Sequence, residues 1–168
     1  VYGSDDPTLT YSFTGFVLGD LESDLDTGVI ISRDAGETVG NYSIIPSAAA
    51  DSNYTVSFET ADFSITQANL MITGLVGNNK EYDGTTDATV SGTPVLSGVI
   101  TGDDVVLEGN SVFTFESAEL GTDITITTTG FIITGSDSGN YTLTQPTLSA
   151  DIFTTLGVDD ITDVKSSL

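Results

Sequence analysis

Residues 52–66 read SNYTVSFETADFSIT and residues 139–153 read GNYTLTQPTLSADIF. Both passages carry an Asn-Tyr-Thr triplet, and an Ile stands at the same spacing after each Tyr, Ile65 after Tyr54 and Ile152 after Tyr141. Upstream the likeness continues. VYGSDDPTLTYSFTG and Gly19-Asp20 in the first half answer EYDGTTDATVSG and Gly102-Asp103 in the second. The chain is a tandem repeat, and repeats in series build architecture by reusing one supersecondary unit.

Size sets what each repeat can be. The chain has 168 residues, so each half has roughly 70 to 85, enough for one modest core. No Cys is present, which leaves packing and strand pairing to stabilise the fold. Runs rich in β-branched and alternating apolar residues recur, at intervals of about 8 to 12 residues. They include LTYSFTGFVL, NYSII, NYTVSF, DFSIT, NLMITG, DDVVLEG, VFTFES and DITITTTGFIITG. Turn formers separate them, such as Gly19-Asp20, Gly77-Asn78-Asn79, Asp83-Gly84 and Ser138-Gly139-Asn140, whose residues accept positive φ or cap turns with short side chains. PSAAADSN, from Pro46, is too short for a stable helix. The pattern predicts an all-β protein of two tandem immunoglobulin-like β-sandwich modules. A β-grasp arrangement is the alternative, disfavoured because no helix is evident.

The expected domains are 1–67 and 68–152, with 153–168 as a polar linker or tail. Residues 62–66 read as the last strand of the first module and residues 69–74 as the first strand of the second. By that measure the first module lacks a strand ahead of VYG. Its open sheet edge is expected to be available for strand exchange or dimerisation. The chain opens on a repeat motif, and we expect it to be an internal or processed piece of a longer protein.

Charge excludes several function classes. Against 25 Asp and Glu stand Arg33, Lys80 and Lys165, for a formal net charge of −22. Nucleic-acid binding requires clustered cations that displace condensed counterions, and an anionic membrane surface would repel this chain. No apolar run reaches the roughly 18 residues of a spanning helix. The acidity reads as solubility and resistance to self-association. Divalent-cation binding is the functional alternative, and both readings point to a secreted or cell-surface setting.

Catalysis finds few components. The chain has no His and no Cys, so Ser-His-Asp and Cys-His nucleophiles cannot be assembled and soft zinc sites are excluded. It has no Trp to form a sugar platform, and no phosphate-binding glycine pattern is present. We therefore predict no catalytic residues and no cofactor. Calcium is the one ligand ion to consider, because hard cations collect oxygens from closely spaced carboxylates. GSDDP, LESDLD and GDD supply the candidates Asp5, Asp6, Asp20, Asp24, Asp26, Asp103 and Asp104, although none follows the EF-hand spacing. Lys80 beside the Tyr82-Asp83-Gly84 turn reads as an exposed loop residue, which argues against an isopeptide crosslink. Asp137 to Tyr141, DSGNY, has the Asp-x-Gly-x-Tyr form of a tyrosine corner, in which a Tyr hydroxyl bonds back to upstream backbone. Tyr141, Asp137 and the equivalent Tyr54 are accordingly structural candidates. The eight Phe residues fall mostly in strand-like runs, which favours core positions for them.

The same residues carry a resemblance. VYGSDDPTLTYSFTGFVLGD with its Tyr2-Gly3, followed by AGETVGNYSI, SNYTVSF and FSIT, resembles the MBG repeat of YGX type. KEYDGTTDATV, ITGDDVVLEG and GNYTLTQPTLSADI resemble the YDG repeat. Such modules recur in long surface and adhesin-like proteins of bacteria. The tail, FTTLGVDDITDVKSSL, is similar to the linker before a type IX secretion sorting domain in Bacteroidetes proteins, which implies export. Together these resemblances imply a non-catalytic stalk or spacer of a secreted or cell-surface adhesin-like protein, its partners being neighbouring repeats of a longer chain. The alternative they leave is a module that binds glycan or protein, with calcium as a possible aid.

Overall fold

The computed structural model describes residues 1–155. The tail beyond them, with the expected sorting-domain linker, lies outside the described residues. Two compact units divide the chain, the first covering Val1–Ala68 and the second beginning at Asn69. The protein is all-β. Among the described residues the only helical segments are single 3₁₀ turns at Glu22–Asp24 and Ser138–Asn140, so the helix on which a β-grasp rests is absent from them. No helix among the described residues is long and apolar enough to cross a membrane.

In the first unit, β1 (Ile30–Arg33), β2 (Gly40–Ser47) and β3 (Ala61–Ile65) form an antiparallel sheet in that order. Arg33 fastens the β1–β2 loop. Its guanidinium donates to the Asp34 and Gly36 carbonyls at 2.8 and 2.6 Å and pairs with Asp6 at 2.5 Å and Glu37 at 2.7 Å. It also lies over the rings of Tyr42 and Phe63. The planar fork of Arg suits such combined pairing and stacking.

The second unit has two sheets. A four-stranded sheet runs β5 (Lys80–Glu81), β10 (Leu148–Phe153), β8 (Gly121–Thr134), β7 (Val106–Phe115). A three-stranded sheet runs β6 (Val90–Ser97), β4 (Ala68–Gly77), β9 (Tyr141–Thr144). The chain passes from one sheet to the other between β4 and β5, and β5 then pairs parallel with β10. Phe115, Ile126, Ala150 and Ile152 form the core, flanked by Ala88, Phe113, Ile124 and Leu148. From the smaller sheet, β4 buries Leu70 and Ile72. Burial of each such large aliphatic side chain stabilises the fold by about 1.5–3 kcal/mol.

Strict alternation would turn half of the long strands the wrong way, and glycine corrects it. In β4, Leu70 and Ile72 face inward, but beyond a register shift at Thr73–Leu75 the more covered positions are Leu75 and Gly77. In β8, Ile126 and Thr128 are buried and the next buried residue is Phe131, three positions on. Gly130 sits between them at φ +92°, where an added Cβ would strike the Asn110 carbonyl. Its counterpart across the register shift, Gly109 of β7, is likewise at positive φ. Only glycine accepts that conformation and that close approach without strain.

The two units share one plan. The order β1-β2-β3 repeats as β7-β8-β10. The Tyr2 N–H donates to the Thr66 carbonyl at 2.8 Å, as the Tyr82 N–H does to the Phe153 carbonyl at 2.8 Å. The units differ in the second sheet. LTYSFTGFVL and NYTVSF, expected as strands, are in no strand of the first unit. A strand needs a ladder partner as well as the right alternation. In the second unit that partner is β4, lying between β6 and β9, and nothing among the described residues occupies its place in the first. The expected core positions of the phenylalanines hold unevenly. Phe115 and Phe131 are buried, whereas Phe58 and Phe153 are 43% exposed.

Candidate functional site

The feature common to both units is a hydroxyl bridge between two segments far apart in sequence. In the first unit, the Asp20 N–H donates to the Val17 carbonyl at 3.1 Å, closing a turn over Leu18 and Gly19. Leu18 and Gly19 both have positive φ, which short turns of the hairpin class require. The Tyr54 hydroxyl donates to Asp20 Oδ2 at 2.6 Å and accepts the Val17 N–H at 3.3 Å. In the second unit, the Asp103 N–H donates to the Ile100 carbonyl at 3.1 Å. The Tyr141 hydroxyl donates to Asp103 Oδ2 at 2.5 Å and accepts the Ile100 N–H at 3.0 Å. Each tyrosine thus grips both ends of one Gly-Asp turn.

Electrostatics follow from the geometry. The hydrogen bond to Asp20 holds the Tyr54 phenol above its ordinary pKa. Tyr141 is also raised, first by burial and then by its bond to Asp103. A carboxylate acceptor favours the protonated phenol, because ionisation would set two anions against each other.

Asp137 stands one step away from this bridge. Its Oδ2 accepts the Asp104 N–H at 2.9 Å, and its own N–H donates to the Asp104 carbonyl at 3.2 Å. Ser136 donates its N–H to Asp104 Oδ2 at 3.1 Å. The Asp-x-Gly-x-Tyr stretch therefore folds onto the Asp103-Asp104 turn, with Asp103 as the hydroxyl's carboxylate partner. Sequence reasoning noticed both motifs but not that they meet. The signal available was the recurrence of the Gly-Asp pair and of the Asn-Tyr-Thr triplet in each half.

The calcium candidates are dispersed over hydrogen-bonding duties. Asp24 accepts the Leu21 N–H and Asp26 the Ser52 N–H, both at 2.8 Å. Asp6 pairs with Arg33, Asp20 and Asp103 hold the tyrosines, and Asp104 receives Ser136. Asp5 lines a small surface depression near Phe63 and Ile65. Among the described residues no group of three or more acidic side chains is placed to hold a metal ion.

Lys80 departs from expectation. It lies in β5 with its side chain 15% exposed, and its ammonium pairs with Asp83 at 2.8 Å. It also donates to the Thr85 and Asp87 carbonyls, both at 3.0 Å. The Tyr82-Asp83-Gly84 turn wraps around the cation, and Lys80, followed by the Thr85 N–H, draws the Asp83 carboxyl down to about 2.

The first unit carries a groove of about 520 Å³. Segments 10–16 and 54–61 form its sides, and Val29, Ile31, Ile44 and Pro46 contribute from the β1–β2 region. Aromatic rings run along it in contact, Tyr11 with Phe13 and Phe16 with Tyr54 edge to face and Phe13 with Phe16 tilted, with centroids 5.4–5.8 Å apart.

An all-β pair of units, each fastened by the same tyrosine bridge, defines a tandem-module protein. Residues 1–64 match the MBG domain (YGX type), and residues 66–148 match the YDG domain. The chain carries one of each, and these are non-catalytic repeat-type domains typical of bacterial surface repeat proteins. No curated protein and no solved structure matches the chain.

Proposed function

We propose that the two modules act as a non-catalytic stalk or spacer in a secreted or cell-surface bacterial adhesin-like protein, joined there to neighbouring repeats. The observation that carries this reading is the duplicated tyrosine bridge. The most chemically capable side chains of each unit, a Tyr and an Asp, are committed to pinning a turn. A net charge of −22 adds solubility and discourages lateral association. In the second unit the passage from β4 to β5 between two sheets, with Leu70 and Ile72 buried from one sheet and Ile126 and Ile152 from the other, supports an immunoglobulin-like sandwich.

Single-molecule stretching from the chain ends tests the mechanical role. The second unit, from Asn69 to Phe153, is expected to unfold in one event releasing roughly 300 Å, at about 3.5 Å per residue. Smooth extension without a force peak, as for a disordered chain, would remove the stalk reading. The groove of the first unit favours the alternative of a binding module, and its aromatic lining suits an uncharged ligand.

A further inference from the structure

The tyrosine bridge accounts for the middle residue of each Asn-Tyr-Thr triplet and leaves the residues on either side of Tyr54 without a duty. An Asn followed two positions on by Ser or Thr, with no Pro between, is the acceptor sequence for an N-linked glycan, which is attached in surface loops of exported proteins. The chain carries that sequence at Asn41-Tyr42-Ser43, Asn53-Tyr54-Thr55 and Asn140-Tyr141-Thr142. The fold separates the three. Asn41 lies within β2, paired on both sides, and its Oδ1 accepts the Ser64 hydroxyl at 2.6 Å. Asn140 is 8% exposed at the end of the 3₁₀ turn Ser138–Asn140, which Asp137 folds onto the Asp103-Asp104 turn.

Asn53 is exposed and lies outside any strand or helix. The cause is local. Ala50 stands in the first unit where Asp137 stands in the second, and a different loop results. The Ser52 N–H donates to Asp26 Oδ2 at 2.8 Å and the Asn53 N–H to Asp51 Oδ1 at 2.6 Å. This Asx turn fixes the loop backbone and engages only the main chain of Asn53. Thr55 is exposed, as its counterpart Thr142 is in the complete second sheet.

We propose that Asn53 is an N-glycosylation site whose glycan donor is a polyprenyl-diphosphate-linked oligosaccharide. In the transfer the Asn53 Nδ2 forms a bond to the anomeric carbon while the bond from that carbon to the diphosphate oxygen breaks. Its electron pair leaves with the polyprenyl diphosphate, and one amide proton passes to solvent. Asp51, two residues ahead of the acceptor, offers a carboxylate to a cationic subsite of the transferase. Val39 and Ser138 hold the corresponding places before Asn41 and Asn140. Glycan transfer requires the exported setting of the stalk reading but not its mechanical role.

The test uses the folded full chain, a purified bacterial oligosaccharyltransferase and its lipid-linked oligosaccharide in vitro, so that neither export nor mechanical function enters. The enzyme is first shown to be active on a short Asp-x-Asn-x-Thr peptide. The intact mass should rise by one glycan, and peptide mapping should place it on Asn53. Asn53→Gln and Thr55→Val, both at exposed positions, should abolish the increment while leaving the thermal melt unchanged. Asp51→Asn, which keeps an acceptor for the Asx turn and removes the charge, should slow transfer about tenfold, as expected for loss of one charge-assisted contact. A folded chain that stays unmodified, an increment that survives Asn53→Gln, or a glycan mapped to Asn41, Asn140 or a threonine hydroxyl would overturn the proposal.

Discussion

At Tyr141 a single hydroxyl satisfies the Ile100 N–H and anchors the Asp103 carboxylate. Tyr141→Phe keeps the ring in its buried place but leaves a turn N–H without its acceptor, at a cost of about 1–3 kcal/mol. Urea unfolding of the second unit should show that loss in its midpoint with little change in slope. The same group sets a pH dependence. Its pKa is raised in the folded state, so its contribution is fully present below the ordinary tyrosine value of 10.0 and is lost as pH rises through the higher folded value. Melts across alkaline pH should therefore fall more steeply for the native chain than for Tyr141→Phe. Both tyrosines stand out in the sequence because each recurs with its Asn and Thr. Their partners, 34 and 38 residues upstream, do not, since hydrogen-bonding across such separations depends on how the sheets bring the turns back. Thr128 illustrates the opposite case. It reads as one of several surface threonines in TDITITTTG, yet it is 6% exposed with no partner for its Oγ1.

At the scale of the strand, glycine decides which side chains reach the core. Gly130→Ala places a Cβ against the Asn110 carbonyl at a φ of +92°. It should destabilise the second unit by at least about 2 kcal/mol, through strain and through misdirection of Phe131. Guanidinium melts of that variant and of a control at the open Gly139, with nothing within 4 Å of its added Cβ, would measure the difference. Strand existence was legible for NLMITG, DITITTTGFIITG and DFSIT because their β-branched runs find partners. For LTYSFTGFVL and NYTVSF the same local pattern misled. Period and propensity describe what a segment is able to do, and pairing depends on whether another strand lies alongside. The phase changes at Gly74 and Gly130 also escape an alternation count, since a bulge adds a residue without altering composition.

Across the chain, the two units share an antiparallel sheet, a Gly-Asp turn and a tyrosine bridge, and the second has in addition β5 and the sheet β6-β4-β9. The second has its β4 and a closed core, and the first has the same sheet, turn and tyrosine bridge around an open groove. The tandem repeat, the all-β class and the Tyr-Gly and Tyr-Asp-Gly signatures could all be read from residue order. The groove could not, because its walls, residues 10–16 and 54–61, come together only in the fold. Hydrogen exchange of the backbone amides tests this contrast directly, since protection reports local opening strand by strand. Residues 141–144 of β9 and 90–97 of β6 should exchange slowly, while residues 54–60 and 8–16 exchange quickly even though β1, β2 and β3 remain protected. Equal protection of residues 54–57 and 141–144 would contradict the account, because residues 54–57 would then be paired in a sheet as β9 is.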